Sequence, residues 1–168
     1  MGGAGTDLAT RYLGLHLRSP LVASAGPLTE RVESIQRLES AGAAAVVLPS
    51  LFEEQITTEA LELDATLAAG AESFPEALTY FPEQLIYETT PDRYLALLDG
   101  AKAVIKVPVI ASVNGSTPGG WTQYAGLLED AGADALELNL YLVAADARAS
   151  GTEVEERLLE MVRAVRQA

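Results

Sequence analysis

The chain has 168 residues, 49% hydrophobic and 21% charged, with 24 Asp+Glu against 11 Lys+Arg, a formal net charge of −13, one histidine and no cysteine. Such a length suits a single domain with a real core, and the lack of cysteine excludes disulfides, thiolate metal sites and thiol catalysis while being compatible with a cytoplasmic setting. An acidic chain is a poor partner for a polyanion, so nucleic acid is not expected; the longest apolar runs, such as Ala41 to Pro49, are strand-length, so no membrane span is expected either.

Met1 to Thr10 has neither a basic nor an apolar stretch, and no signal peptide is readable there. Tyr12-Leu13-Gly14-Leu15-His16-Leu17 then alternates polar and apolar residues, as a small strand or hairpin does. Pro20-Leu21-Val22-Ala23-Ser24 is a short apolar run leading into Ala25-Gly26-Pro27, and predicts a buried parallel strand over Leu21–Ser24. Thr29 is the expected cap of a helix reaching about Ser40, with Val32, Ile35 and Leu38 on one face. A second strand follows at Ala44–Leu48.

Leu51 to Thr90 forms an insertion of about 40 residues, with a helical stretch expected over Glu59–Leu67 and breaks at Phe74-Pro75 and Phe81-Pro82. It follows a strand, on the side where loops of such sheets build active sites; a packing role is equally open. Thr90-Pro91 starts a helix over Pro91–Ile105, followed by a third strand at Val109–Val113, a helix over Trp121–Asp130, a fourth strand at Ala135–Asn139 and a last helix over Thr152–Arg166. That last helix carries Glu153, Glu155 and Glu156 early and Arg163 and Arg166 late, complementing its dipole.

An internal repeat supports this order. Leu38-Glu39-Ser40-Ala41-Gly42-Ala43-Ala44-Ala45-Val46-Val47-Leu48 aligns with Leu128-Glu129-Asp130-Ala131-Gly132-Ala133-Asp134-Ala135-Leu136-Glu137-Leu138 at an offset of 90 residues, and the two proline-led strands align at 88. Each copy reads as a helix end, a glycine that turns left-handed, and a strand. Strands alternating with helices predict an α/β fold with a parallel sheet.

Leu13-Gly14-Leu15-His16-Leu17-Arg18-Ser19-Pro20-Leu21-Val22-Ala23-Ser24-Ala25-Gly26 resembles the opening of the dihydroorotate dehydrogenases, FMN-dependent oxidoreductases of pyrimidine biosynthesis. The resemblance implies a partial TIM (β/α)8 barrel: its N-terminal half, of roughly four βα units, spanning residues 1–168, with the hairpin plugging the bottom. It also implies FMN as cofactor and a dihydropyrimidine such as dihydroorotate as substrate. In the family, small residues ending the first strand lie against FMN, and Ser24, Ala25 and Gly26 take those positions here. A flat ring can approach the backbone only where side chains are small.

Glu137-Leu138-Asn139-Leu140 resembles the family's fourth-strand motif, whose asparagine hydrogen-bonds flavin and substrate; Asn139 takes that role by resemblance. Asn114 ends the third strand and is a further candidate, although Asn114-Gly115 also fits a simple turn. Two departures stand out. The position of the family's catalytic cysteine or serine is Leu142, which cannot accept a proton. A lysine that supports the flavin at the end of the second strand is Pro49, although Ser50 is retained. No residue of this chain is therefore assigned as a catalytic base.

Other chemistries are less well supported. His16 reads as a strand histidine, and Glu53-Glu54, Glu59 and Glu62 as a solvated face rather than a metal site. Gly115-Ser116-Thr117-Pro118-Gly119-Gly120 lacks the lysine of a P-loop but can offer backbone N–H groups to an anion. Four βα units are half of a barrel that needs about 250 residues. Unpaired strand edges are therefore expected, to be met by a homodimer or by a missing C-terminal half, truncation being the leading explanation. A non-catalytic half-barrel acting through self-association or partner binding is the alternative function.

Overall fold

The computed structural model describes residues 6–59, 61, 90–115, 118–140 and 144–167. Thr10–Tyr12 (β1) and Leu15–Leu17 (β2) pair antiparallel, Thr10 opposite Leu17 and Tyr12 opposite Leu15. Leu13 and Gly14 join them with φ of 52° and 78°, both left-handed, as a two-residue hairpin turn of the mirror-image type requires.

The rest is a β-α-β succession. Val22–Ala23 (β3) leads through a 3-10 turn at Pro27–Thr29 to Val32–Ser40 (α1) and Ala45–Phe52 (β4). Thr90–Val104 (α2), Val109–Gly115 (β5), Pro118–Asp130 (α3), Ala135–Leu140 (β6) and Gly151–Gln167 (α4) follow. The last four strands form one parallel sheet in the order β3-β4-β5-β6, so spatial order equals chain order.

The apolar runs of β4 and β5 are buried on both faces, as their lack of alternation predicts, whereas the run at Leu21–Ser24 is not the buried strand expected: Val22 and Ala23 are half-buried and Leu21 is 60% exposed. On one face Val46, Leu48, Val109, Ala111 and Val113 pack against Ile35 of α1, Tyr94 and Leu98 of α2 and Leu128 of α3. On the other, Ala45, Val47 and Ile110 are covered by Leu17 of the hairpin. A doubly wound sheet would carry helices on both faces. Here the helical packing among the described residues lies on one face only, which is compatible with an arc of a barrel. Within those residues β3 and β6 are edge strands.

The internal repeat is a repeat of backbone geometry. Gly42 and Gly132 have φ of 112° and 87°. Ala43 N–H donates to Leu38 O and Ala133 N–H to Leu128 O, both at 3.0 Å. Gly42 and Gly132 N–H donate to the carbonyls of Glu39 and Glu129. In each copy the next amide reaches back to the preceding strand, Ala44 to Leu21 O and Asp134 to Val109 O. These are helix ends closed by a left-handed residue, a conformation that glycine adopts without cost.

Four expectations are corrected. Thr29 does not cap α1: its hydroxyl donates to Gly26 O and accepts from Gly26 N–H, closing the 3-10 turn, and extended Arg31 precedes the helix. The second strand continues past Pro49 to Phe52, after which residues 53–59 are helical. α3 begins at Pro118, before Trp121. α4 begins at Gly151 behind a reciprocal capping box: Ser150 Oγ accepts from Glu153 N–H, and Glu153 Oε2 accepts from Ser150 N–H at 2.7 Å. Of the stretch expected to be helical, 60 and 62–67 lie outside the described residues. No helix among the described residues is long and apolar enough to cross a membrane.

Candidate functional site

Because the four strands are parallel, their C-terminal ends share one rim. The register of β4 against β5 changes there: Val47 pairs with Ile110 but Ser50 with Ser112, so Leu48 and Pro49 together stand opposite Ala111. This is a β-bulge, and it suits Pro49, which has no N–H to give to a ladder. Strict alternation would put Val47 and Ser50 on opposite faces. The extra residue instead puts both on the face away from the helices.

On that face a hydrogen-bonded group forms around Ser112. Its hydroxyl lies 2.7 Å from Glu137 Oε1 and 2.8 Å from Ser50 Oγ. Ser112 has one hydroxyl hydrogen, and the carboxylate can only accept, so Ser50 is the donor to Ser112. Asn139 Nδ2 donates to Ser112 Oγ at 3.2 Å and lies 3.3 Å from Glu137 Oε1. Asn114 pairs in register with Asn139 on the neighbouring strand. It is 4% exposed, and its Oδ1 has no hydrogen-bond partner among the described residues. An unpaired buried acceptor costs about 1–3 kcal/mol.

From the helix side, the Tyr94 hydroxyl accepts from Ser112 N–H at 2.9 Å and donates to Ser112 O at 3.3 Å. Burial pushes this phenol up to about 12, against the effect of the Ser112 backbone bond, with a smaller push from Glu137. Tyr94 keeps its proton at neutral pH and is no base.

Ser24, Ala25 and Gly26 leave β3 on the same rim. Ser24 lines a cavity of about 620 Å³ between the hairpin and the sheet, shared with Tyr12, Leu17, Val47, Ile110 and Glu137. Ala25 packs against the Val47–Ile110 cluster. At Gly26 an added Cβ would meet no atom within 4 Å, so space lies open beside this turn.

The structure thus brings Ser50 and Asn139 together through Ser112, sets Asn114 one strand from Asn139, and leaves Ser24–Gly26 unbonded to the group. Ser112, Glu137 and Tyr94 were not singled out from the sequence. The available signal was period two: Ser112 precedes Asn114, and Glu137 precedes Asn139, by two residues, placing each pair on one face. Leu142 and residues 116–117 of the glycine-rich stretch lie outside the described residues.

His16 is remote, on the exposed hairpin, where Arg11 Nη2 donates to its Nε2 at 2.9 Å. Glu59 is not simply solvated: Thr90 donates to it with both N–H and Oγ1–H, and Arg93 lies 3.5 Å away. No three His, Cys, Asp or Glu among the described residues are grouped to hold a metal.

No protein-family model matches the chain. Over 34 residues it is 56% identical to a protein of Aeropyrum pernix named "Putative dihydroorotate dehydrogenase A (fumarate)". The match covers 20% of this chain and 11% of that protein, far less than two thirds of the relative's length. Within that stretch the chain is similar to a dihydroorotate dehydrogenase-like oxidoreductase.

Proposed function

We propose that the chain forms part of an FMN-dependent oxidoreductase of the dihydroorotate dehydrogenase-like type, acting on dihydroorotate or a related dihydropyrimidine. The observation that carries the proposal is the polar group on the C-terminal rim: Ser50, Ser112, Glu137 and Asn139 bonded together, with the buried Asn114 beside them, whose Oδ1 has no partner among the described residues. The short stretch of identity supports it. In this proposal the sheet is half of a (β/α)8 barrel, and the edges of β3 and β6 pair with further strands, from a second copy or a C-terminal half.

These residues fit the ring edge of FMN. Asn114 Oδ1 suits a ring N–H donor, Asn139 supplies an amide, and the open side of Gly26 leaves room for a flat ring against backbone. The hydrogen-bonded group holds no cationic side chain, so in this proposal the phosphate is held elsewhere. When bound, FMN would supply a hydride acceptor for the substrate. Ser50 and Asn139 would orient the ring edge, with Ser112 holding both in place. No proton acceptor is assigned in this chain: Tyr94 stays protonated, and Leu142 stands at the family's base position.

The test is an FMN titration of the purified chain followed by visible absorbance and flavin fluorescence. Saturable binding with a perturbed flavin band is expected, weakened about tenfold by Asn139→Ala, the loss of one hydrogen-bonding group. A folded, colourless chain that takes up no FMN would instead favour a non-catalytic half-barrel acting through self-association or partner binding. Leu142 at the base position is the observation on that side.

A further inference from the structure

We infer that Tyr94 is a positioning residue for the rim site, acting through the backbone of Ser112 across the bulge in β4. The inference rests on the proposed function for its flavin readout, but its geometric part stands independently. Three observations carry it. First, Tyr94 belongs to α2 and packs in the helix-side core with Leu98 and Val113, yet its hydroxyl engages both Ser112 N–H and Ser112 O. A strand residue normally gives these groups to its neighbours in the sheet.

Second, this happens at the rung where β4 loses register and Pro49 has no N–H to offer. In an even parallel ladder, Val46 N–H to Pro108 O sets a spacing by which Ser112 N–H would be directed at the Leu48 carbonyl. The bulge intervenes, and at that rung the tyrosine hydroxyl engages both backbone groups of Ser112.

Third, the residue so held is the hub of the rim group. Ser112 is fully buried, and its one hydroxyl is shared with Ser50, Glu137 and Asn139. The backbone of Ser112 fixes where its Cβ and Oγ lie. A shift at that residue redistributes the bonds to Asn139 and Ser50, the two side chains assigned to the flavin. Tyr94 touches neither cofactor nor substrate in this scheme. It sets the geometry of groups that do.

The test uses Tyr94→Phe and Ser112→Ala in the full chain, with amide hydrogen exchange, side-chain amide NMR shifts, urea stability and FMN titration. Tyr94→Phe is expected to raise exchange at the Ser112 amide about tenfold relative to Ile110, to move the Asn139 side-chain amide resonances, and to weaken FMN binding about tenfold with a shifted flavin band. Ser112→Ala keeps the Tyr94 bonds to the backbone; it is expected to move the Asn139 resonances and weaken FMN similarly while leaving the residue-112 amide protected. Tyr124→Phe, on an aromatic packed against the same core, is the control and is expected to move neither.

If Tyr94→Phe lowers stability but leaves the Asn139 resonances unchanged, the tyrosine is merely structural and the inference is overturned. Unchanged exchange at Ser112 overturns it too. Should the parent chain take up no FMN, the proposed function fails, while moved Asn139 resonances still uphold the positioning role.

Discussion

The two rims of the sheet are built from similar side chains put to opposite uses. At the N-terminal rim, charged groups bond to backbone. Glu39 Oε1 accepts from Lys106 N–H and Val107 N–H, Asp134 Oδ2 accepts from Val109 N–H and from Lys102 Nζ, and Arg18 donates to the carbonyls of Glu39 and Ala43. Each contact ties a strand start or a helix end to a fixed point. At the C-terminal rim, Ser50, Ser112, Glu137 and Asn139 bond mainly to one another, and Asn114 Oδ1 has no partner among the described residues. One rim holds the fold together; the other keeps hydrogen-bonding capacity in reserve, as the division of labour in βα folds leads one to expect.

The largest expected effect lies on the N-terminal rim. Asp134→Ala strips the acceptor from the amide of Val109, a fully buried residue, and should cost about 2 kcal/mol in urea denaturation, with Asp134→Asn recovering part of it. Asn139→Ala, on a side chain near solvent, should cost under about 1 kcal/mol. Equal costs would erase the distinction between the rims.

A glycine pair sharpens it further. An added Cβ at Gly42 or at Gly26 would meet no atom within 4 Å, so crowding is the same at both. Their backbones differ: Gly42 has φ of 112°, whereas Gly26 at 165° is extended. Gly42→Ala should therefore cost about 1 kcal/mol through strain alone. Gly26→Ala should stay within about 0.5 kcal/mol in stability yet reduce FMN uptake. A silent Gly26→Ala in the FMN titration would remove the turn from the site.

What was legible in the sequence divides along the same line. The Ala-Gly-Ala turns at Gly42 and Gly132 and the apolar runs of β4 and β5 were readable because their causes are local: a left-handed residue needs glycine, and strands buried on both faces need unbroken apolar stretches. The resemblance directed attention to Ser50 and Asn139, but not to the residue that joins them. Ser112 reads as the end of an apolar run, and its role depends on a bulge completed by a tyrosine from another element. Pro49 looked like the end of a strand because proline usually is. The strand continues through a bulge, and Ser50, Leu51 and Phe52 resume the ladder opposite Ser112, Val113 and Asn114. Thr29 looked like a cap of α1, but Pro27 and Thr29 close a turn of their own first. The Ser150–Glu153 box was local and readable, and starting the helix at Thr152 passed over it.

The smallest effect concerns a place near the C-terminal rim where a carboxylate is used in the manner of the opposite rim. Glu59 accepts from Thr90 N–H and Oγ1–H at the start of α2, in the place of an N-terminal cap, and thereby ties residues 59 and 90 together. The hydrogen bonds from the Thr90 side chain and backbone, with a smaller contribution from Arg93, hold its carboxyl below the usual value of 4.5. A carboxyl lowered in the folded state adds stability that is fully present above its unfolded value. That stability is lost as pH falls from about 4.5 through the folded value. Urea midpoints recorded from pH 6 to pH 3 should thus fall more steeply for the parent chain than for Glu59→Gln, which has no carboxylate to protonate, and the two curves should converge at the acid end. Parallel curves would mean that Glu59 is a solvated surface acid after all. The contrast between the rims would then lose this exception.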